Sequence, residues 1–160
     1  MSDEHAPLIP GDDAAPWNTL HDGVVVWASR DRARRHVSLL IEIPYVRRRF
    51  REPGDCFRLE LAGCTRFAYT PYDEEAIEDT ALVVAAAPDI AEAKSEDGRM
   101  TIWGSAGVLR LRYDTLSIAL APPFDDVAPR DAGISVSLAD VESAARAYWD
   151  EWRAHHARKA

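Results

Sequence analysis

The chain has 160 residues, is 47% hydrophobic and 29% charged, and carries a formal net charge of −8. That length suits one domain with its own core, the apolar share is too high for a disordered chain, and no run nears the ~20 apolar residues of a membrane-spanning helix. An acidic total also disfavours nucleic acid as a partner, because phosphate binding needs a positive footprint.

Residues 1–16 hold Pro7, Pro10 and Pro16 around Gly11-Asp12-Asp13, which predicts an extended arm ahead of a single domain over 17–160. The arm carries Asp3, Glu4, Asp12 and Asp13, with no Lys or Arg and no apolar stretch. A secretory signal has the opposite character, so the expected location is the cytoplasm. Strand character begins at Val24-Val25-Val26-Trp27, and Arg30 to Arg35 reads as a charged turn. Val37, Leu39, Ile41 and Ile43 then alternate with His36, Ser38, Leu40 and Glu42. Period two gives this strand one core-facing side, and Pro44 ends it because proline has no N–H to donate. Arg30, Arg32, Arg34 and Arg35 fall at one end of the strand and Arg47, Arg48, Arg49 and Arg51 at the other. Such charges are expected to be solvated and to protect strand ends.

Pro53-Gly54-Asp55 predicts a turn, after which Phe57, Leu59 and Leu61 alternate with Arg58, Glu60 and Ala62. Gly63 marks a hairpin turn or a bulge before Thr65, Phe67 and Tyr69 resume the alternation. Asp73 to Asp79 reads as a short helical turn, while Ala81 to Ala87 fits helix or buried strand equally well. Ile90 to Ser95 and Met100 to Trp103 flank Asp97-Gly98, a strong hairpin signal. Leu109, Leu111 and Tyr113 are expected to pair with Leu116, Ile118 and Leu120 across Asp114-Thr115. Pro122, Pro123 and Pro129 predict a loop before a last short strand from Gly133 to Val136. Leu138, Val141, Ala145, Tyr148 and Trp152 recur at spacings of three and four, an amphipathic helix over 138–157 with Ser137 as its N-cap. The fold expected is α+β, mainly β. It is a curved antiparallel sheet or sandwich of seven to nine strands with one C-terminal helix, helix making up about an eighth of the chain.

Catalytic templates largely fail. No GxxxxGK[ST] or GxGxxG cradles a phosphate, no GxSxG makes a nucleophile elbow, and nothing marks a cofactor. Cys56 and Cys64 are expected as buried free thiols, since no CxxC or HxxxH accompanies them to form a metal site. His155 and His156 are neighbours on a helix and point about 100° apart, unlike chelating histidines at i and i+4. His21-Asp22 is the one dyad with catalytic or metal-binding potential. Against that stands a plain structural role, in which Asp22-Gly23 shapes a turn and His21 bonds the backbone. Asp73, Glu74, Glu75, Glu78 and Asp79 form a compact acidic run beside Tyr69 and Tyr72. It is either a solvated face or a docking surface for a basic protein partner.

The segment Trp17-Asn18-Thr19-Leu20-His21-Asp22-Gly23, running into Val24 and Val26, resembles the opening of small bacterial β-rich families of unknown function. Some of these are assigned as immunity proteins of polymorphic toxin systems. Phe57-x-Leu59-x-Leu61-x-Gly63-Cys64 is similar to the third-strand region of such families, so the resemblance covers about the first 70 residues. It implies a compact intracellular binding protein without catalysis and offers no active site to carry over. The function expected is therefore a non-enzymatic binding protein, an immunity protein neutralising a basic toxin. The alternatives are a small-molecule or lipid-binding β fold with Trp27, Tyr45, Trp103 and Tyr113 lining its pocket, and an enzyme using His21 and Asp22.

Overall fold

The computed structural model describes residues 8–123 and 133–157. In chain order the elements are β1 (Ile9–Pro10), α1 (Ala15–Thr19), β2 (Val24–Asp31), β3 (His36–Glu42), α2 (Pro44–Arg47), β4 (Cys56–Ala62) and β5 (Arg66–Pro71). They continue with α3 (Thr80–Ala86), β6 (Glu92–Glu96), β7 (Arg99–Trp103), β8 (Gly107–Arg112), β9 (Thr115–Leu120), β10 (Ile134–Val136) and α4 (Leu138–Ala157). Two antiparallel sheets result. The first has the order β1-β9-β4-β3-β2 with β10 also paired to β9, and the second has the order β5-β8-β7-β6. The mainly β fold and the C-terminal helix agree with the sequence reading.

Alternation explains how the sheets meet. Val37, Leu39 and Ile41 of β3, Phe57, Leu59 and Leu61 of β4, and Leu116, Ile118 and Leu120 of β9 point one way. They share one buried core with Phe67, Tyr69, Met100, Ile102, Leu109 and Leu111 of the second sheet. Trp17 of α1 is buried in the same core, where its Nε1–H donates to Tyr113 Oη at 2.8 Å. The edge of β2 is tied to residues 88–90, with Val25 N–H donating to Pro88 O at 2.8 Å and Ile90 N–H to Gly23 O at 2.9 Å.

Several local expectations change. Within the stretch read as an arm, Ile9–Pro10 pairs with β9, and its last two residues open the helix Ala15–Thr19. The Gly63 interruption is neither hairpin nor bulge, because β4 and β5 lie in different sheets. Nor do β8 and β9 pair with each other: Leu109 and Leu111 share the core with Leu116 and Ile118 from a different sheet, and Tyr113-Asp114 carries the chain between sheets. Residues 73–79 are not helical; the helix begins at Thr80. Helix reaches 26% of the described residues, above the expected eighth, because α1, α2 and α3 add to α4. The hairpin at Asp97-Gly98 forms as expected, both residues adopting positive φ (52° and 73°), the left-handed pair that a two-residue primed turn requires. Pro129 lies outside the described residues.

The correction with the largest energetic weight is Arg47. Grouped in the sequence with solvated arginines, it is fully buried, at 0% exposure. Pro44 starts α2 with its fixed φ, and the turn that follows swings Arg47 inward. Its Nε–H donates to Cys56 O at 2.9 Å, Nη1 to Glu52 O at 2.6 Å, and Nη2 to Pro53 O at 3.0 Å and Ala121 O at 2.7 Å. One guanidinium thus ties α2, the 52–55 turn and the facing ends of β4 and β9.

Candidate functional site

The acidic run is laid along the open edge of β5. Tyr69 N–H donates to Ile77 O at 2.8 Å and Ile77 N–H returns to Tyr69 O at 2.7 Å, an isolated bridge that pins the segment to the sheet. Asp73 adopts φ 65° and Glu74 N–H closes a turn onto Pro71 O at 3.1 Å. Tyr72 is held by its Oη donating to Gly104 O at 3.0 Å, yet stays 50% exposed. Asp79 caps α3, its Oδ1 accepting from Ala81 N–H at 2.9 Å and Leu82 N–H at 3.2 Å. Asp73, Glu74, Glu75 and Glu78 are exposed and form no ion pair among the described residues. Leu82, one helical turn on, is 58% exposed. Tyr69, next to the run in sequence, is buried in the core. The structure therefore brings Asp73, Glu74, Glu75, Glu78 and Asp79 into one stretch of surface with Tyr72 and Leu82.

His21 and Asp22 sit in the turn between α1 and β2, and their side chains diverge. His21 Nδ1 lies 2.9 Å from Asn18 O, and its ring stacks on Trp149 with centroids 5.4 Å apart. Asp22, at φ 73°, accepts from Tyr45 Oη at 2.9 Å. Burial and the Asp22 carboxylate push the Tyr45 hydroxyl well above its ordinary value, so Tyr45 stays a donor. Tyr45 also packs on Tyr148 at 4.4 Å between centroids. Both residues of the dyad thereby anchor α4 rather than converge on a reactive point.

A polar cluster that alternation did not single out occupies the outer face of the first sheet. Ser38 Oγ donates to Glu60 at 2.5 Å, and His36 and Arg58 bond the same carboxylate. Burial pushes the Glu60 carboxyl up, but the three hydrogen bonds outweigh it and hold the group below its ordinary value. The guanidinium of Arg58 lies 5.5 Å from the Trp27 ring centroid. The antiparallel register places Ser38 opposite Glu60; only the strand pairing, not the sequence spacing, brings these residues together.

The pocket expected between Trp27, Tyr45, Trp103 and Tyr113 does not form. Trp27 packs on Leu40, Cys56 and Ala121, Tyr45 on α4, and Tyr113 on Trp17, while Trp103 stands on β7 opposite Glu92. Cys56 and Cys64 are free and buried. Burial pushes the Cys56 thiol up to about 11 and raises that of Cys64 as well. Among the described residues, no helix is long and apolar enough to cross a membrane, and no group of three His, Cys, Asp or Glu side chains could hold a metal ion. No protein-family model, curated protein or solved structure matches the chain.

Proposed function

We propose that the chain is a non-catalytic cytoplasmic binding protein that meets a basic protein partner through residues 72–82, as an immunity protein covers its toxin. The observation that carries this reading is the pinned segment itself. It holds four carboxylates that form no ion pair among the described residues, beside half-exposed Tyr72 and Leu82. Carboxylates without counter-charges give a local field that steers a basic partner. The aromatic and aliphatic groups supply desolvated contact once it arrives. The bridge at Ile77 lowers the ordering cost that a loose acidic loop would incur on binding.

The test uses whichever basic protein is found encoded beside this chain's gene, immobilised for interferometry. Charge reversal of Asp73, Glu74 and Glu75 is expected to slow association at least tenfold at low salt and leave the melting temperature nearly unchanged. Rising salt should erase most of the difference. The matched control is reversal of Glu142 and Asp150 on α4, with little effect expected. Equal association by the two variants would overturn the reading.

A further inference from the structure

The outer face of the second sheet carries a charge pattern opposite to the molecule as a whole. Arg66 of β5 stands opposite Arg112 of β8, and Arg110 of β8 stands between Ala68 of β5 and Thr101 of β7. Their inward neighbours Phe67, Leu109, Leu111, Met100 and Ile102 are buried, so Arg66, Arg110, Arg112, Thr101 and Arg99 share the outward side. Like charges at directly opposite strand positions are about 5 Å apart at Cβ and repel. Glu96 of β6 stands opposite Arg99, yet Arg66, Arg99, Arg110 and Arg112 form no ion pair among the described residues, and Arg110 donates only to Thr70 Oγ1, at 3.2 Å. In the strand pairs of β8, Arg66, Arg110 and Arg112 have no carboxylate opposite them, so the surface is not a simple salt-bridged sheet.

The same face is concave. Arg66, Arg99, Arg110 and Thr101 line a cleft of about 270 Å³ together with Glu96 and Asp97. Guanidinium groups present planar, bidentate donors that fit phosphate oxygens, and a threonine hydroxyl adds a further donor. Glu96 and Asp97 accept hydrogen bonds and limit how much negative charge the cleft takes, so that one anionic group fits beside the three arginines and many do not. A long polyanion is disfavoured for the same reason, and also by the acidic run 73–79 that follows the far end of β5. The volume suits a small molecule with one charged end.

We propose that this cleft binds a small phosphorylated, hydroxyl-bearing molecule, its phosphate held by Arg66, Arg99 and Arg110 and its hydroxyls by Glu96 and Asp97. The site is independent of the acidic docking surface, and either can fail without the other. The test is calorimetric titration of the full chain with ribose 5-phosphate, inorganic phosphate, ribose and a single-stranded oligonucleotide. Ribose 5-phosphate is expected to bind, inorganic phosphate to bind more weakly, and ribose not at all. Arg66→Ser and Arg99→Ser should each weaken ribose 5-phosphate by roughly tenfold or more. Both side chains are exposed, so the fold should survive, as an unchanged melting temperature checks. Arg146→Ser on α4 is the control and should bind like the parent. Glu96→Gln should narrow the preference for ribose 5-phosphate over inorganic phosphate, an effect that a merely cationic surface would not give. No binding of ribose 5-phosphate, equal binding by the arginine variants, or tighter binding of the oligonucleotide would each overturn the proposal.

Discussion

Among the described residues, the buried Arg47 guanidinium hydrogen-bonds backbone carbonyls and no carboxylate, so geometry holds it. Burial lowers the pKa of the Arg47 guanidinium, and four backbone carbonyls offset that penalty with hydrogen bonds. Bonds to a charged donor contribute ~1.5–3 kcal/mol each, and an orphaned buried carbonyl costs a similar amount. Arg47→Leu should therefore cost about 3 kcal/mol or more, lowering the melting temperature by roughly 6–12 °C. Arg47→Lys should recover little, because an ammonium cannot span the fork that reaches Cys56, Glu52, Pro53 and Ala121. Exposed Arg48→Ala, one residue on, should change stability by less than ~0.5 kcal/mol. Thermal denaturation of the three variants decides. Gly54 belongs to the same unit: its φ is 142°, and a Cβ there would lie 2.6 Å from Ala121 O and 2.8 Å from Arg47 Nη2. Neither role could be read from the string Val46-Arg47-Arg48-Arg49, in which all three arginines look alike. Glu60 gives a second residue-scale expectation, through pH. Its carboxyl is held below the ordinary value in the folded chain, so it stabilises the fold above the unfolded value, near ~4.3, and that contribution is lost as pH falls further, through the folded value. The stability gap between the parent and Glu60→Gln should thus shrink from about pH 6 toward pH 3 in urea titrations; a constant gap would mean that Glu60 is not held low.

At the scale of elements, α4 shows what periodicity conveys and what it leaves out. Its bounds, Leu138–Ala157, follow from the three-four spacing, and Asp140 N–H donates to the Ser137 Oγ cap at 3.1 Å. Depth of docking did not follow. Val141 and Ala145 are buried, whereas Trp152, on the same stripe, is 43% exposed because the helix outruns the body it packs on. Trp149, one place off the stripe, does more: it meets His21 and Tyr45, which the turn before β2 and the start of α2 carry to it. Ending the chain after Trp152 keeps these contacts and the Arg49–Glu151 ion pair, so the melting temperature should fall by less than ~2 °C. Trp149→Ala should lower it by several times that amount, since it strips the cover from His21 and Tyr45. Comparable losses from the two changes would mean that the last turns of α4 bear on the fold. Residues 73–79 failed as a helix for a related reason. A short acidic stretch has no apolar stripe to bury, and Ile77 gains more by bridging the edge of β5.

For the whole molecule, the decisive feature is how the chain divides its strands between two sheets. Alternation established which side of Leu109, Leu111, Leu116 and Ile118 is apolar, but adjacent strands of one sheet and facing strands of two sheets satisfy it equally. Strand pairing adds long-range information that a local period cannot hold, and the same gap hid the arginine cleft, which exists only once β5, β7 and β8 lie side by side. The division has a thermodynamic consequence. The chain crosses between sheets at Gly63-Cys64 and again at Tyr113-Asp114, and both inner faces bury into one core. Detaching the second sheet would uncover Leu39, Leu59 and Ile118 while breaking the Trp17–Tyr113 bond. Large side chains are worth ~1.5–3 kcal/mol each when buried, against a total stability of about 5–15 kcal/mol, so neither sheet retains enough to stand alone. Unfolding is therefore expected to be two-state. With 5-fluorotryptophan incorporated into the full chain, the fluorine signals of Trp27, on β2, and Trp103, on β7, report the first and second sheets separately. Their urea midpoints should coincide with each other and with the loss of far-ultraviolet dichroism. An earlier loss of the native Trp103 signal would show the second sheet opening on its own and would break the single-core account.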